Sequence, residues 1–96
     1  MRRQVILSPD AKEHVRSAIR WYADHQSHLR FRFKAELRTT LRRVVQNPYL
    51  FPLGEDQIRR ALMRHFPYTI YFRLNGELVN VIGVIHQRRL SPWNTP

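Results

Sequence analysis

Two apolar runs, residues 66–74 and 78–86, flank the dipeptide Asn75-Gly76 in the C-terminal half of the chain. Both runs are rich in β-branched and aromatic residues, which are the types that favour strands. An Asn-Gly pair between such runs favours a two-residue type I′ turn, because that turn requires positive φ at both central residues. The pattern therefore predicts a β-hairpin, and we expect the rest of the chain to cover it.

Counting outward from this turn assigns the hairpin side chains to two faces, since neighbours along a strand point to opposite sides of a sheet. One face is apolar or glycine beyond the turn and is expected to form the core; its predicted pairs are Phe72–Val79, Ile70–Val81, Tyr68–Gly83 and Phe66–Ile85. The other face carries Tyr71 and ends with His65 opposite His86. This register predicts that one end of the hairpin collects imidazole and guanidinium groups.

The N-terminal half of the chain predicts one strand and two helices. Residues 4–7 form a short apolar run, interpreted as an edge strand, and Ser8 followed by proline marks the start of a helix. Apolar residues at helical spacing continue to His25, and a second amphipathic stretch follows a short connection in which Ser27 is the predicted cap. Asn47, again followed by proline, ends that stretch. Two helices joined by so few residues form an antiparallel hairpin.

The remaining segments complete a single domain over residues 1–96. Residues 48–54 contain two prolines and a glycine, which predicts an apolar loop packed against the core. Residues 58–63 resume as a strand, and residues 90–96 are expected to form an irregular tail with Trp93 as a candidate anchor. Helices grouped ahead of hairpin strands are typical of an α+β fold. We expect the helical pair on one face of a mostly antiparallel four-stranded sheet, with the order β-α-α-β-β-β and the other face open.

The chain is strongly basic, with 17 Lys and Arg residues against 7 Asp and Glu, a formal net charge of +10 and a pI near 11.4. Such an excess favours nucleic acid, an anionic membrane or an acidic protein as partner without choosing among them. The absence of cysteine excludes disulfides, a thiol nucleophile and a thiolate metal site. No apolar run approaches the length of a membrane span or of a signal-peptide core, so we expect a cytoplasmic protein without membrane contact.

Two histidines are the sharpest catalytic candidates. Opposed imidazoles beside arginines suit general acid–base chemistry in phosphodiester cleavage, and the predicted register opposes His65 and His86. The simpler reading is that both are polar residues at a sheet end. Five guanidinium groups would converge there as a target or anion-binding patch: Arg59, Arg60, Arg64, Arg88 and Arg89. His25 and His28 have no third ligand nearby in the sequence, so no metal or cofactor is expected.

Several short motifs follow one another along nearly the whole chain. They are Leu7-Ser8-Pro9-x-Ala11, Arg60-Ala61-Leu62, Phe66-Pro67-Tyr68-x-Ile70-x-Phe72 and Val84-Ile85-His86-x-Arg88-Arg89. With a basic second helix closed by Asn47-Pro48, this order resembles the RelE/ParE superfamily of toxins from type II toxin–antitoxin systems. The resemblance implies a growth-inhibiting toxin of a plasmid-stabilisation module, neutralised by the flexible acidic or amphipathic segment of a cognate antitoxin. The residues expected to bind the antitoxin are Trp21, Tyr22, Phe31 and Arg38.

The resemblance is closer to the ParE branch of this superfamily than to the RelE branch. ParE-like toxins poison DNA gyrase without an obvious catalytic constellation, and the segment Phe66-Pro67-Tyr68 is more similar to theirs. RelE-like toxins cut messenger RNA on the ribosome, but Leu62 and Thr69 stand where that branch has basic residues. We therefore favour a non-enzymatic gyrase inhibitor. A ribosome-dependent ribonuclease is the first alternative, with Arg60, His65, His86 and Arg88 as its implied catalytic residues. A non-toxic basic module that binds nucleic acid is the second.

Overall fold

The computed structural model describes residues 3–89, which fold into two helices and a four-stranded sheet. The elements are β1 (Gln4–Leu7), α1 (Pro9–His25), α2 (Ser27–Gln46), β2 (Arg59–Leu62), β3 (Tyr68–Asn75) and β4 (Leu78–His86). The strand order is β1-β4-β3-β2; β1 runs parallel to β4, and the other neighbours are antiparallel. This arrangement confirms the predicted α+β fold and element order. The predicted irregular tail and its candidate anchor Trp93 lie outside the described residues.

Local signals fix the ends of both helices. The Ser8 hydroxyl accepts a hydrogen bond from the backbone N–H of Ala11 at 3.0 Å, so it caps α1 as predicted. The prediction that Ser27 caps α2 is wrong, because Gln26 occupies the cap position and Ser27 is already helical. The Gln26 N–H donates to the carbonyl of Tyr22, so one residue both closes α1 and precedes α2. Asn47 ends α2 as predicted.

The hairpin turn is displaced by one residue from the predicted turn. Asn75 pairs with Leu78 as the last rung of the ladder, which leaves Gly76 and Glu77 as the central residues of the turn. Of these two central residues only Gly76 has positive φ, at 61°. This pattern is typical of a type II′ turn rather than a type I′ turn. Each residue of β3 near the turn therefore faces a partner two positions later than predicted, and Phe72 pairs with Val81. A shift of two positions keeps every side chain on its predicted face.

A β-bulge then changes the faces of the second half of β4. The register shifts between Tyr71 and Phe72, and Ile82 is the extra residue without a partner in β3. Beyond it Val84 joins the main core, whereas Ile85 turns to the opposite face of the sheet. The prediction that Ile85 faces the core and Tyr71 faces solvent is therefore wrong. Tyr71 is 3% exposed and packs with Ile85 in a small second cluster, so the second face is not fully open.

The main core lies between the helical pair and the sheet. Its largest fully buried apolar side chains are Phe33, Phe72, Ile70, Val44, Val79 and Val81. The loop that leads from α2 to β2 contributes less than predicted. Tyr49 and Leu50 in its first 3-10 turn (Pro48–Leu50) are 66% and 76% exposed, and Phe51 instead packs edge-on against Phe72. No helix in the described part of the chain is long and apolar enough to cross a membrane.

Candidate functional site

A groove lies between α1 and the C-terminal half of β4. Strand β1 covers β4 only as far as Val81, because the chain turns into α1 at Ser8. Beyond that point no strand among residues 3–89 pairs with the outer edge of β4, and the N–H of Val84 donates to the imidazole Nδ1 of His14 at 3.2 Å. The cavity holds about 720 Å³, and we call it the α1–β4 groove; its wall includes His14, Trp21, Tyr68, His86, Arg88 and Arg89.

Three aromatic side chains, Trp21, Tyr22 and Tyr68, line the α1–β4 groove. Trp21 is 50% exposed and stacks on His25, with ring centroids 4.2 Å apart. The rings of Tyr68 and His86 meet edge to face, with their centroids 5.1 Å apart. Burial raises the pKa of Tyr68, although the nearby Arg89 acts in the opposite direction, and burial together with Tyr68 raises the pKa of Tyr22. Both phenols are therefore neutral at physiological pH and can donate hydrogen bonds. The groove thus combines aromatic surface with two arginines.

A second, smaller groove lies between α2 and the segment that connects β2 to β3. We call it the α2–loop groove; its cavity holds about 350 Å³, and its wall includes Arg32, Glu36, Thr39, Arg43, Arg64 and His65. The carboxylate of Glu36 is part of this wall. One oxygen accepts the backbone N–H of His65 at 2.8 Å, and the other lies 2.7 Å from the Nδ1 atom of the same residue. This double contact attaches the β2–β3 connection to α2.

The environment of Glu36 favours its ionised form. Burial raises the pKa of this carboxyl, but hydrogen bonds from the backbone and ring of His65, the imidazole's charge and the N–H of Arg64 together outweigh it, so the pKa is lowered. The Glu36 side chain is 14% exposed, whereas His65 is 74% exposed. Glu36 is therefore a nearly buried anion, and His65 presents the rest of its ring to solvent.

The structure separates the two predicted catalytic histidines. His86 pairs with Tyr68 at the end of β4, and its Nδ1 accepts the N–H of Arg88 at 3.1 Å. His65 precedes β3 and lies in the α2–loop groove with Glu36. The predicted opposition of His65 and His86 is therefore wrong, because the displaced turn and the bulge bring Tyr68 opposite His86. The two imidazoles line different grooves.

The five predicted anion-binding arginines also do not converge. Arg59 pairs with Phe72 in the middle of β3, donates to the carbonyl of Phe51 at 2.8 Å and stacks over Tyr49 at 5.2 Å. Its neighbour Arg60 lies half-buried on the same edge strand. The remaining three are divided between the grooves: Arg64 lines the α2–loop groove, and Arg88 and Arg89 line the α1–β4 groove. Convergence fails because β3 lies between β2 and β4 in the sheet, so Arg64 and the two arginines that follow β4 lie on opposite sides of that strand.

The four predicted antitoxin-binding residues fall into two groups. Trp21 and Tyr22 line the α1–β4 groove, although Tyr22 is only 7% exposed and mostly serves the core. Phe31 and Arg38 lie exposed on α2, where Arg30 stacks over the Phe31 ring at 4.6 Å. No three histidine, aspartate or glutamate side chains in residues 3–89 come together as a metal site.

Sequence reasoning missed His14 and Glu36, the polar residues that shape the two grooves. His14 had no signal, because its partner is a backbone N–H 70 residues away in the chain. Glu36 did have one. It is the only acidic residue in α2, and an isolated carboxylate on a basic helix indicates a specific partner.

Comparison with known proteins provides a family match and matches to solved structures. The sequence model of the family described as "ParE toxin of type II toxin-antitoxin system, parDE" matches residues 5–91. A solved structure titled "Chromosomal ParDE TA system from P. aeruginosa" is similar to this chain with a TM-score of 0.75 and 10% sequence identity. The alignment covers 88% of this chain and 95% of that chain. No curated protein matches the sequence.

Proposed function

Because the chain belongs to the ParE toxin family of type II toxin–antitoxin systems, we propose that it inhibits growth by poisoning DNA gyrase. We also propose that a cognate antitoxin neutralises it. The family match over residues 5–91 is the observation that carries this proposal, since it selects the ParE branch from the two kinds of toxin that the sequence resembles. The predicted strand motifs agree with the same branch.

The separation of His65 and His86 supports a non-enzymatic mode of action. A ribonuclease that promotes attack of a 2′-hydroxyl needs an acid and a base within reach of the same phosphate. His65 is held by Glu36 in the α2–loop groove, and His86 lies against Tyr68 in the α1–β4 groove. The ribosome-dependent ribonuclease therefore remains the alternative that the experiment must exclude.

The α1–β4 groove is the surface that we propose for the antitoxin. Trp21 offers a large exposed ring, which is the kind of side chain that anchors protein interfaces. The outer edge of β4 at residues 84–86 pairs with no strand among residues 3–89, and an added strand would replace the hydrogen bond that the Val84 N–H makes to His14. Arg88 and Arg89 border the same groove, so an acidic segment complements its charge. An amphipathic acidic segment of the antitoxin meets all three requirements.

Plasmid supercoiling by purified gyrase tests the target. We expect the folded protein to inhibit supercoiling in a dose-dependent way and to trap double-strand breaks when the reaction is stopped with denaturant. A parallel reaction with translating ribosomes and labelled messenger RNA tests the alternative. Unaffected gyrase together with cleaved RNA would overturn the gyrase proposal, whereas Arg60→Ala and His86→Ala should then abolish the cleavage.

Growth rescue tests the antitoxin surface separately from the target. The toxin and the product of the neighbouring gene are expressed from two inducible plasmids, and colony counts report neutralisation. Trp21→Ala should leave toxicity intact and weaken rescue, because it removes the exposed anchor of the groove. Phe31→Ala is the matched control, since Phe31 is equally aromatic and 59% exposed but lies on α2. Weaker rescue of the Phe31 variant alone would move the antitoxin to the outer face of α2.

A further inference from the structure

We propose that the α2–loop groove binds the phosphate backbone of a nucleic acid. The site is distinct from the α1–β4 groove and does not depend on which target the toxin poisons. Its cationic groups come from three places in the sequence: two positions of α2 and the β2–β3 connection that Glu36 attaches to that helix. The site combines an extended set of positive charges with a wall that has no large aliphatic side chain.

The arginines of the groove form a row along α2 and are not gathered at one place. Arg32 and Arg43 stand eleven residues apart on one helix, which corresponds to about 16 Å along the helix axis. Arg64 lies beside this stretch of α2, because the contact of Glu36 with His65 holds the β2–β3 connection there. Phosphates follow one another every ~3.4 Å of axis on each strand of a duplex, so the row spans about five of them. A single small anion would contact only part of this row.

The guanidinium groups of this row are available to a ligand. Arg32 and Arg64 are exposed, and neither has an acidic partner among residues 3–89. Arg43 is half-buried and packs over the Phe51 ring at 5.6 Å, which restrains its side chain without neutralising its charge. Glu36 is the only acid in the wall of the groove, and its two oxygens are taken by His65. Three positive charges therefore face one occupied carboxylate.

The wall of the groove favours a phosphate backbone over an acidic protein segment. It contains no aromatic ring other than the His65 imidazole and no large aliphatic side chain, so its apolar surface comes from Ala35, the two threonines and the carbon atoms of the charged side chains. Protein segments gain most of their affinity by burying aromatic and aliphatic anchors, which this groove does not offer. Guanidinium groups bind phosphate oxygens through charge and paired hydrogen bonds, and such binding needs no apolar surface. The aromatic α1–β4 groove provides the contrast on the same molecule.

Fluorescence anisotropy with labelled oligonucleotides tests the proposal without gyrase. The isolated protein is titrated into a 20-base-pair duplex and into a single strand of equal length, at salt concentrations from 50 to 300 mM. Each neutralised phosphate contributes about −0.9 to the slope of log affinity against log salt for duplex DNA. The combined substitution Arg32→Gln, Arg43→Gln and Arg64→Gln should therefore reduce the slope by about 2.7 and the affinity at 0.1 M salt by about 500-fold.

A control variant with the same change in net charge separates the groove from general attraction. Lys34→Gln, Arg38→Gln and Arg42→Gln remove three charges that recur every four residues on the exposed outer face of α2. This control should lose much less affinity, and circular dichroism must show that both variants melt like the native protein. Equal losses in the two variants, or no binding by the native protein, would overturn the proposal. Displacement of DNA by polyglutamate at equal charge concentration would assign the groove to an acidic protein instead. The comparison of duplex with single strand identifies the preferred nucleic acid.

Discussion

Replacement of Glu36 by glutamine should destabilise the protein at neutral pH and have little effect in acid. The substitution keeps the volume of the side chain and removes its charge. In the native protein this carboxylate accepts the backbone N–H of His65 at 2.8 Å and lies 2.7 Å from the Nδ1 atom of the same residue. The contact joins α2 to the β2–β3 connection, 29 residues later in the chain, so its loss should lower the free energy of unfolding.

The size of the effect follows from the exposure of the two partners. A hydrogen bond to a charged group contributes about 1.5–3 kcal/mol when solvent is excluded. The ring of His65 is 74% exposed, so we discount its contribution to about 0.5 kcal/mol. Glutamine keeps one carbonyl oxygen as an acceptor for the backbone N–H. We therefore expect a loss of about 1.5 kcal/mol, which corresponds to roughly 8 °C in the melting temperature of a domain of this size.

The pH dependence follows from the direction of the Glu36 pKa shift. Folding lowers this pKa from its ordinary value of 4.5, because the hydrogen bonds outweigh the effect of burial. A group whose pKa is lower in the folded state adds stability above its unfolded pKa and loses it as the pH falls through the folded value. The difference between the native protein and Glu36→Gln should be complete at pH 7 and should shrink below about pH 4.

Thermal unfolding followed by circular dichroism at pH 7, 5 and 3 measures this difference. His65→Ala is the matched control, because it removes the exposed ring but keeps the backbone N–H. That variant should lose only about 0.5 kcal/mol at pH 7. Equal melting temperatures of Glu36→Gln and native protein at pH 7 would refute the argument. A gap that persists unchanged at pH 3 would show that shape, rather than charge, is responsible.

Two further predictions concern the hairpin turn and the core. Gly76→Ala should cost about 1 kcal/mol in urea unfolding, because φ is +61° while an added Cβ meets no atom within 4 Å; unchanged stability would argue against the displaced turn. Phe33→Ala should cost about 3–5 kcal/mol, since this ring is fully buried. Phe31→Ala, at an exposed ring two residues earlier, should cost less than about 0.5 kcal/mol, and similar losses for the two would contradict the orientation of α2.

The parts of the fold that were predictable from sequence are those set by local chemistry. The limits of α1 follow from the Ser8 cap and from the loss of helical spacing after His25, and both signals lie within the segment that they define. The apolar face of the hairpin near the turn was also predictable. Although the turn was displaced, Phe72 and Val81 kept their core face because the shift in pairing was two residues and the side-chain period is two.

The candidate site was much less predictable, because it depends on contacts between distant parts of the chain. The pairing of Glu36 with His65 joins residues 29 positions apart, and no spacing rule relates a helix to a loop at that distance. The two arginine clusters were merged in prediction because the register placed residues 64 and 88 on neighbouring rungs. Residue types therefore indicated an anion-binding surface, whereas only the three-dimensional arrangement separated it into two grooves with different walls.

A single extra residue in β4 accounts for the position of the α1–β4 groove. Without the bulge at Ile82, strict alternation would leave Val84 and His86 on the face of the sheet away from the helices, as the sequence predicted. With it, Val84 enters the main core, its N–H reaches His14 of α1, and His86 lines the groove beside Tyr68. Bulges redirect side chains in this way, and they cost the sheet one unpaired residue. The helix-facing chemistry at the end of β4 therefore depends on an irregularity that no periodic pattern in the sequence encodes.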